Sequence, residues 1–410
     1  MIQAEQNGRT IPKEDKVFGI SSRAKAMIAA EGADKVVNAT IGALLDDDGK
    51  LVVLSSVIDA LKNIEPEDYA EYAPIGGIPE FKDAVKKAAF YSFEPENSFV
   101  EVVGTPGGTG AIRAVVGNYS KIGDTVLTSD WCWANYKSIA DEIGRTLTTF
   151  RMLDENDKFD AASLSEKLDE IMAKQDSLTL IINTPAHNPT GYSLTDEDWD
   201  NMLETLKKTA EKGKRITLFV DVAYIDFAGD PEEKRSFLPK IDNLPENILP
   251  VIGYSTSKTF TLYGMRCGAA ICLAGTKEIA DEFKMVCQYS ARASWSNSPR
   301  AAQKVIANVY ENEELLKRVD QERAKYVDIL ERRGTAFDEE AAKIGLKTVP
   351  YDSGFFTSIP CSNPDEVAAR LEKRGIFIVP LAKGLRVSVA SISEEKCRML
   401  PAIIKEEMDK

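Results

Sequence analysis

This chain has one histidine, His187, in 410 residues, and that scarcity removes much chemistry at once. A His-rich metal centre needs several imidazoles, and a nucleophile that relies on a histidine base has only this one position to draw on. Cysteine is thin too: Cys132, Cys267, Cys272, Cys287, Cys361 and Cys397 are scattered, whereas a disulfide framework needs short, dense spacing. They read as reduced thiols of a cytoplasmic protein, with Cys267 in core packing. No run of about 18 apolar residues exists. The beginning of the chain mixes Glu5, Arg9, Lys13, Glu14, Asp15 and Lys16 without an apolar h-region, so neither export nor a membrane span is expected. Basic excess is also missing. A formal charge of -14 repels nucleic acid and anionic membranes, so an anionic ligand would have to be met by a local concentration of arginine and lysine.

A hydrophobic content of 43% in a chain of this length supports a large core and two or three domains. Short apolar runs ending in polar or turn residues alternate with amphipathic stretches, the pattern of βαβ units around a mostly parallel sheet. The spacing predicts strands at 125–128, 178–182, 216–220, 250–255 and 269–273. Asn183, Asp221 and Ser255 fall at the ends of these runs, where open α/β sheets bind ligands. From Pro299 to about Arg333 the sequence predicts one long helix, followed by a smaller α/β domain with runs at 347–349, 354–359, 376–379 and 385–389. Asp46-Asp47-Asp48-Gly49 reads as an acidic turn, and no internal repeat or low-complexity segment is present.

The richest stretch runs from Ser255 to Gly268. Lys258 sits among hydroxyls with Arg266 eight residues on. An amine that condenses with a carbonyl must be partly neutral, and a phosphate needs fixed donors and positive charge, so Ser255, Lys258 and Arg266 suit an anchor for pyridoxal 5′-phosphate. The plainer reading is a solvated lysine in a Ser/Thr loop. Gly107-Gly108-Thr109-Gly110 precedes a potential helix whose N-terminus could meet a phosphate, or it is an ordinary glycine turn. Asp221 follows a buried strand, where a carboxylate is costly unless a cation or donors satisfy it. A protonated pyridine nitrogen is such a partner, and capping of the next element is the alternative. Trp133 can stack on a ring, with Trp131 as packing. Asn188, in Asn188-Pro189-Thr190-Gly191, could by itself be only a turn residue.

Together, Asn188-Pro189-Thr190-Gly191, Asp221-Val222-Ala223-Tyr224, the lysine block and Gly384-Leu385-Arg386-Val387-Ser388 resemble the class I aminotransferases of PLP fold type I. The stretches Tyr72 to Phe81, Thr105 to Gly110 and Arg292 to Asn297 narrow the resemblance to the aspartate/aromatic branch, over about 38–392. The resemblance implies an α/β fold: a large domain, 51–310, with a mostly parallel mixed sheet flanked by helices, and a smaller α/β domain from 1–50 and 311–410. It implies that Lys258 carries the cofactor and serves as general acid and base, that Asp221 holds the ring nitrogen, and that Tyr224 and Asn188 bond the ring oxygen. Gly107, Gly108, Thr109, Ser255 and Arg266 would cradle the phosphate, with Thr105 and Ser257 as further candidates. Trp133 would stack on the ring, and Tyr72 would reach the phosphate from the other subunit of a homodimer.

Arg386 matches the residue that grips a substrate α-carboxylate with a bidentate fork, and Gly42 matches a glycine whose backbone meets the same carboxylate, or is a plain turn glycine. Arg292 matches the arginine that reaches a side-chain carboxylate from the neighbouring subunit. The implied reaction is ping-pong transfer of an amino group from an L-amino acid, aspartate favoured, to a 2-oxo acid such as 2-oxoglutarate. An aromatic aminotransferase is the nearest alternative; a PLP lyase or a non-catalytic regulator on the same fold is further off. The pattern departs from the family behind Asp221, where Tyr136 and Asn183 align with the usual histidines, leaving support to a phenol, an amide or water. His187 is expected to be structural.

Overall fold

The five strands expected between 125 and 273 all belong to one sheet in the computed structural model, which describes Gln3 and residues 15–410. They are Thr125–Ser129, Ser177–Asn183, Arg215–Asp221, Ile248–Ser255 and Gly268–Ala274. Two more, Phe99–Thr105 and Thr146–Phe150, complete a seven-stranded sheet. Its order is Phe99–Thr105, Gly268–Ala274, Ile248–Ser255, Arg215–Asp221, Ser177–Asn183, Thr125–Ser129, Thr146–Phe150, and only Gly268–Ala274 runs antiparallel to its neighbours. The inner strands are buried nearly throughout, as a parallel sheet covered on both faces requires. Helices such as Gly107–Tyr119 and Lys277–Ser294 pack Ile112, Val115 and Phe283 against Val103, Phe219, Val251 and Cys272.

Register decides what gathers at the strand ends. Asn183 pairs with Asp221, Asp221 with Gly253, Ser255 with Gly268, and Gly268 with Thr105. The glycine loop, the lysine turn and the strand-end carboxylate are thereby brought to one edge of one sheet. This sheet lies in a compact unit formed by Val53–Thr184 and Leu194–Arg323.

A second compact unit comprises 15–52, Pro185–Ser193 and Ala324–Lys410. It holds a three-stranded antiparallel sheet in the order Val379–Leu381, Gly384–Ser388, Phe356–Pro360, and a parallel pair, Val37–Asn38 with Ile376–Phe377. The run expected at 376–379 thus divides between two sheets. The run at 347–349 forms no strand: Pro350 follows it, and a proline lacks the N–H that a ladder needs. Phe337, Ile359, Leu371, Leu385, Val387, Leu400 and Ile404 form this unit's core.

The single helix expected from Pro299 is two helices, Arg300–Glu311 and Glu313–Lys343. Asn312 breaks them: its backbone is extended, and its side-chain oxygen accepts from the Leu315 N–H at 3.0 Å, an N-cap for the second helix. The part of the expected N-terminal arm before Asp15 lies, apart from Gln3, outside the described residues. Among the described residues no helix is long and apolar enough to cross a membrane.

Candidate active site

Asp221 ends a strand of apolar residues and is itself only 7% exposed. The Tyr136 hydroxyl, from the helix Asn135–Glu142, donates to one carboxylate oxygen at 2.7 Å, and the Ala223 N–H donates to the other at 3.2 Å. Asn183 donates instead to the Asp221 backbone carbonyl, at 2.7 Å. Of the supports left open by the sequence, the phenol holds the carboxylate and the amide holds the main chain. Burial pushes the Asp221 carboxyl above its ordinary range, against the opposing pull of Tyr136, the Ala223 N–H and the charge of Lys258. A buried carboxylate in that condition favours a cation placed against it. Trp133 is half-buried and meets Tyr136 edge-on with ring centres 5.6 Å apart, while Trp131 is buried in packing.

The strand Ile248–Ser255 leads straight into the short helix Thr256–Thr259, which carries Lys258. The lysine Nζ lies 4.7 Å from the centre of the Tyr263 ring and 5.7 Å from that of Tyr224. Tyr263 escaped the sequence reading; its position five residues past the lysine was the available signal. Arg266 has φ 53, an uncommon conformation for a residue with a side chain. That turn brings its Nη1 to the Ser257 hydroxyl and the Tyr263 carbonyl, both at 3.0 Å.

Gly107 opens the helix Gly107–Tyr119 with φ 75, and a Cβ there would stand 2.6 Å from Arg266 Nη2. A Cβ on Gly108 would come within 3.3 Å of the Ser255 Cβ. Absent side chains, two hydroxyls, a guanidinium and a helix N-terminus are therefore close neighbours, the kind of donor set a phosphate requires. Thr109 lies half-buried in the first turn of the same helix. Thr105 faces the loop itself, donating to the Gly107 carbonyl at 2.9 Å.

In the second unit, Arg386 lies mid-strand and 5% exposed. Its Nη2 donates to the Thr40 carbonyl at 2.7 Å, its Nη1 to Asn188 Oδ1 at 3.2 Å, and its guanidinium lies 4.4 Å from the centre of the Phe356 ring. These contacts fix the plane of the fork. Gly42 is a close-approach glycine, since a Cβ there would sit 2.8 Å from Phe356. Gly191, at φ 78, leaves room for Tyr351, so Asn188-Pro189-Thr190-Gly191 is a turn tied into this unit. His187 is buried with Nδ1 2.8 Å from the Thr190 hydroxyl, in keeping with a structural role.

Two candidates remain outward-facing in a single chain. Tyr72 is 84% exposed, and Arg292, in the last turn of Lys277–Ser294, is exposed with Nη1 2.5 Å from the Ser296 hydroxyl.

Comparison with known proteins accords with this geometry. The family described as aminotransferase class I and II matches residues 34–404. An aminotransferase of known structure from Anaerococcus prevotii is 38% identical, with 100% of both chains covered and a TM-score of 0.96. The aspartate aminotransferase of Salmonella typhi is 28% identical over 96% of this chain and 99% of its own. The aromatic-amino-acid aminotransferase of Escherichia coli (strain K12) is 26% identical over 69% of this chain and 70% of its own. The chain belongs to the class I and II aminotransferase family, with the mixed α/β architecture of PLP fold type I. It is a transaminase, and its cofactor is pyridoxal 5′-phosphate. The room left at Gly107 and Gly108 beside Arg266 and Ser255 is compatible with a phosphate, and the buried Asp221 is compatible with a ring nitrogen that carries a proton.

Proposed function

We propose that the protein moves amino groups between L-aspartate and a 2-oxo acid such as 2-oxoglutarate, as a cytoplasmic homodimer with shared sites. The observation that carries the reading is the pair of arginines. Arg386 is buried with its fork held by the Thr40 carbonyl and Asn188, and Arg292 is exposed at a helix end; in this reading the first receives an α-carboxylate and the second a side-chain carboxylate.

In this reading Gly107, Gly108, Thr109, Ser255, Ser257 and Arg266 hold the phosphate, with Tyr72 supplied by the partner copy, and Trp133 stacks on the ring. Bound pyridoxal 5′-phosphate supplies a carbonyl for the amine and a sink for the electrons left when the substrate Cα loses its proton. Asp221 keeps a proton on the ring nitrogen, and Tyr136 keeps Asp221 in place. Tyr224 and Asn188 hydrogen-bond the ring oxygen. The Lys258 amine would serve as general base for the substrate Cα proton and as the general acid that gives it back. Gly42 and Arg386 receive the α-carboxylate. The proposed division into a cofactor-binding domain at 51–310 and a smaller one at 1–50 and 311–410 differs from the compact units at 185–193, which belongs to the second unit, and at 311–323, which belongs to the first.

Exposed apolar groups support the dimer. Tyr72 is exposed, and so are Met285 and Tyr289, 63% and 80% exposed and one turn apart on Lys277–Ser294, apolar groups that a second copy could cover. The aromatic-amino-acid aminotransferase among the relatives favours a second reading, turnover of phenylalanine or tyrosine.

Initial rates with aspartate and with phenylalanine, each with 2-oxoglutarate, separate the two readings. Aspartate should be preferred, and Arg292→Asp should reverse the preference by setting like charges face to face. Equal losses on both substrates would remove Arg292 from the substrate site. Borohydride reduction followed by peptide mapping should label Lys258, and a label on another lysine would overturn that assignment.

A further inference from the structure

Beneath the lysine turn lies a second buried carboxylate, with no part in the scheme above. Asp226 stands two residues past Tyr224 in the turn Ile225–Phe227, its side chain 9% exposed. Its Oδ2 accepts from the Tyr254 hydroxyl at 3.0 Å and from the Thr259 hydroxyl at 2.7 Å. Those two residues bracket Ser255, Thr256, Ser257 and Lys258, so a single oxygen atom grips the turn at both ends. Asp226 Oδ1 takes Arg235 Nη2 at 2.5 Å, and Arg323 Nη1 lies 3.6 Å from Oδ2.

The cations are themselves anchored. Arg235 donates to the Ala88 and Ala89 carbonyls at the end of the helix Pro79–Phe90. Arg323 pairs with Asp320 and lies 5.8 Å from the centre of the Phe260 ring, two residues past the lysine. Burial opposes the Asp226 charge, but Arg235 and Arg323 outweigh it and hold the carboxyl below its ordinary range, so it stays an acceptor at neutral pH.

We propose that Asp226 is a positioning residue for transamination: by accepting from Tyr254 and Thr259 with one oxygen, it sets the placement of the Ser255-to-Lys258 turn and hence of the reactive amine. Asp226 acts through those hydroxyls and not by touching substrate. A lysine that must take up a proton and give it back is sensitive to its base, because misplacement by about 1 Å can cost about 100-fold in rate.

The inference rests on Lys258 being the reactive lysine, which the borohydride experiment tests separately. Changing Asp226 itself would take away the carboxylate shared by two buried guanidiniums, leaving Arg323 with Asp320 alone, and endanger folding. Thr259→Val, near-isosteric and charge-neutral, removes one grip while leaving the ion pairs. In cofactor-free Thr259→Val, hydrogen exchange across 254–260 should quicken by about tenfold while the strand Arg215–Asp221 keeps its protection. With cofactor, kcat should fall about tenfold with KM for the amino acid within about twofold, and Thr259→Ser should regain most of that loss. Unaltered exchange, a kcat within about twofold of wild type, or a loss that Thr259→Ser fails to recover each overturns the proposal. The exchange arm needs no cofactor, so its outcome stands even if another lysine proves reactive.

Discussion

Asp221 and Asp226 are five residues apart, the first buried and the second nearly so, and in opposite electrostatic circumstances. Around Asp221 stand a phenol, a backbone N–H and the more distant charge of Lys258, and burial prevails over all three, raising its pKa. Around Asp226 stand two guanidiniums, and they prevail over burial, lowering its pKa. In the proposed scheme, the difference separates a carboxylate whose cation would come with the cofactor from one whose cations are built in. The first is costly to the empty protein and suited to chemistry; the second holds structure in place.

The largest expected effect follows from the built-in cations. Asp226→Asn should cost about 3–5 kcal/mol of stability, because it leaves buried charges uncompensated. Urea unfolding of the cofactor-free protein measures this, and a loss below about 1 kcal/mol would erase the contrast. Asp221→Asn should lower kcat by about 100-fold or more while leaving the cofactor-free fold no less stable at neutral pH. The sign follows from its raised folded pKa: the contribution of Asp221 to stability is present below the ordinary carboxylate value and lost as pH rises through the folded one. The advantage of Asp221→Asn should therefore grow with pH, and an advantage that shrinks would mean that Asp221 has a resident cation after all.

Tyr136→Phe is expected to lower kcat about tenfold, since it removes one hydrogen bond to a buried charge. A wild-type rate would leave the Ala223 N–H as sufficient support. The smallest effect belongs to Asp338, in the second unit, whose carboxyl burial raises to about 6, with a hydrogen bond from Thr348 opposing. Its stabilising contribution is present below the ordinary value of 3.8 and lost as pH rises to about 6, so Asp338→Asn should flatten the pH dependence of melting in that window. An unchanged profile would mean that water reaches this carboxyl more freely than its burial suggests.

What the sequence disclosed follows the same physics. Parallel strands covered on both faces leave continuous apolar runs, so 178–182 and 216–220 were readable, and residues at their ends stood out as polar interruptions. Phe99–Thr105 and Thr146–Phe150 are sheet edges with mixed burial, and no such run marks them. Arg386 interrupts an antiparallel strand from within, where periodicity gives no reason to single it out, and only the resemblance did so. The grip of Asp226 on Tyr254 and Thr259 depends on residues 28 and 33 positions away, a pairing that only the folded backbone creates.

The phenol behind Asp221 bears on how the protein meets a changing environment. Burial, then the neighbouring carboxylate and the hydrogen bond between them, push the Tyr136 hydroxyl well above its ordinary value. It therefore keeps its proton wherever cells are viable. A histidine in that place would change charge between about pH 5 and 8, coupling this end of the site to the acidity of the medium. With tyrosine there, acidification of the medium reaches a support that is already protonated and has nothing to gain.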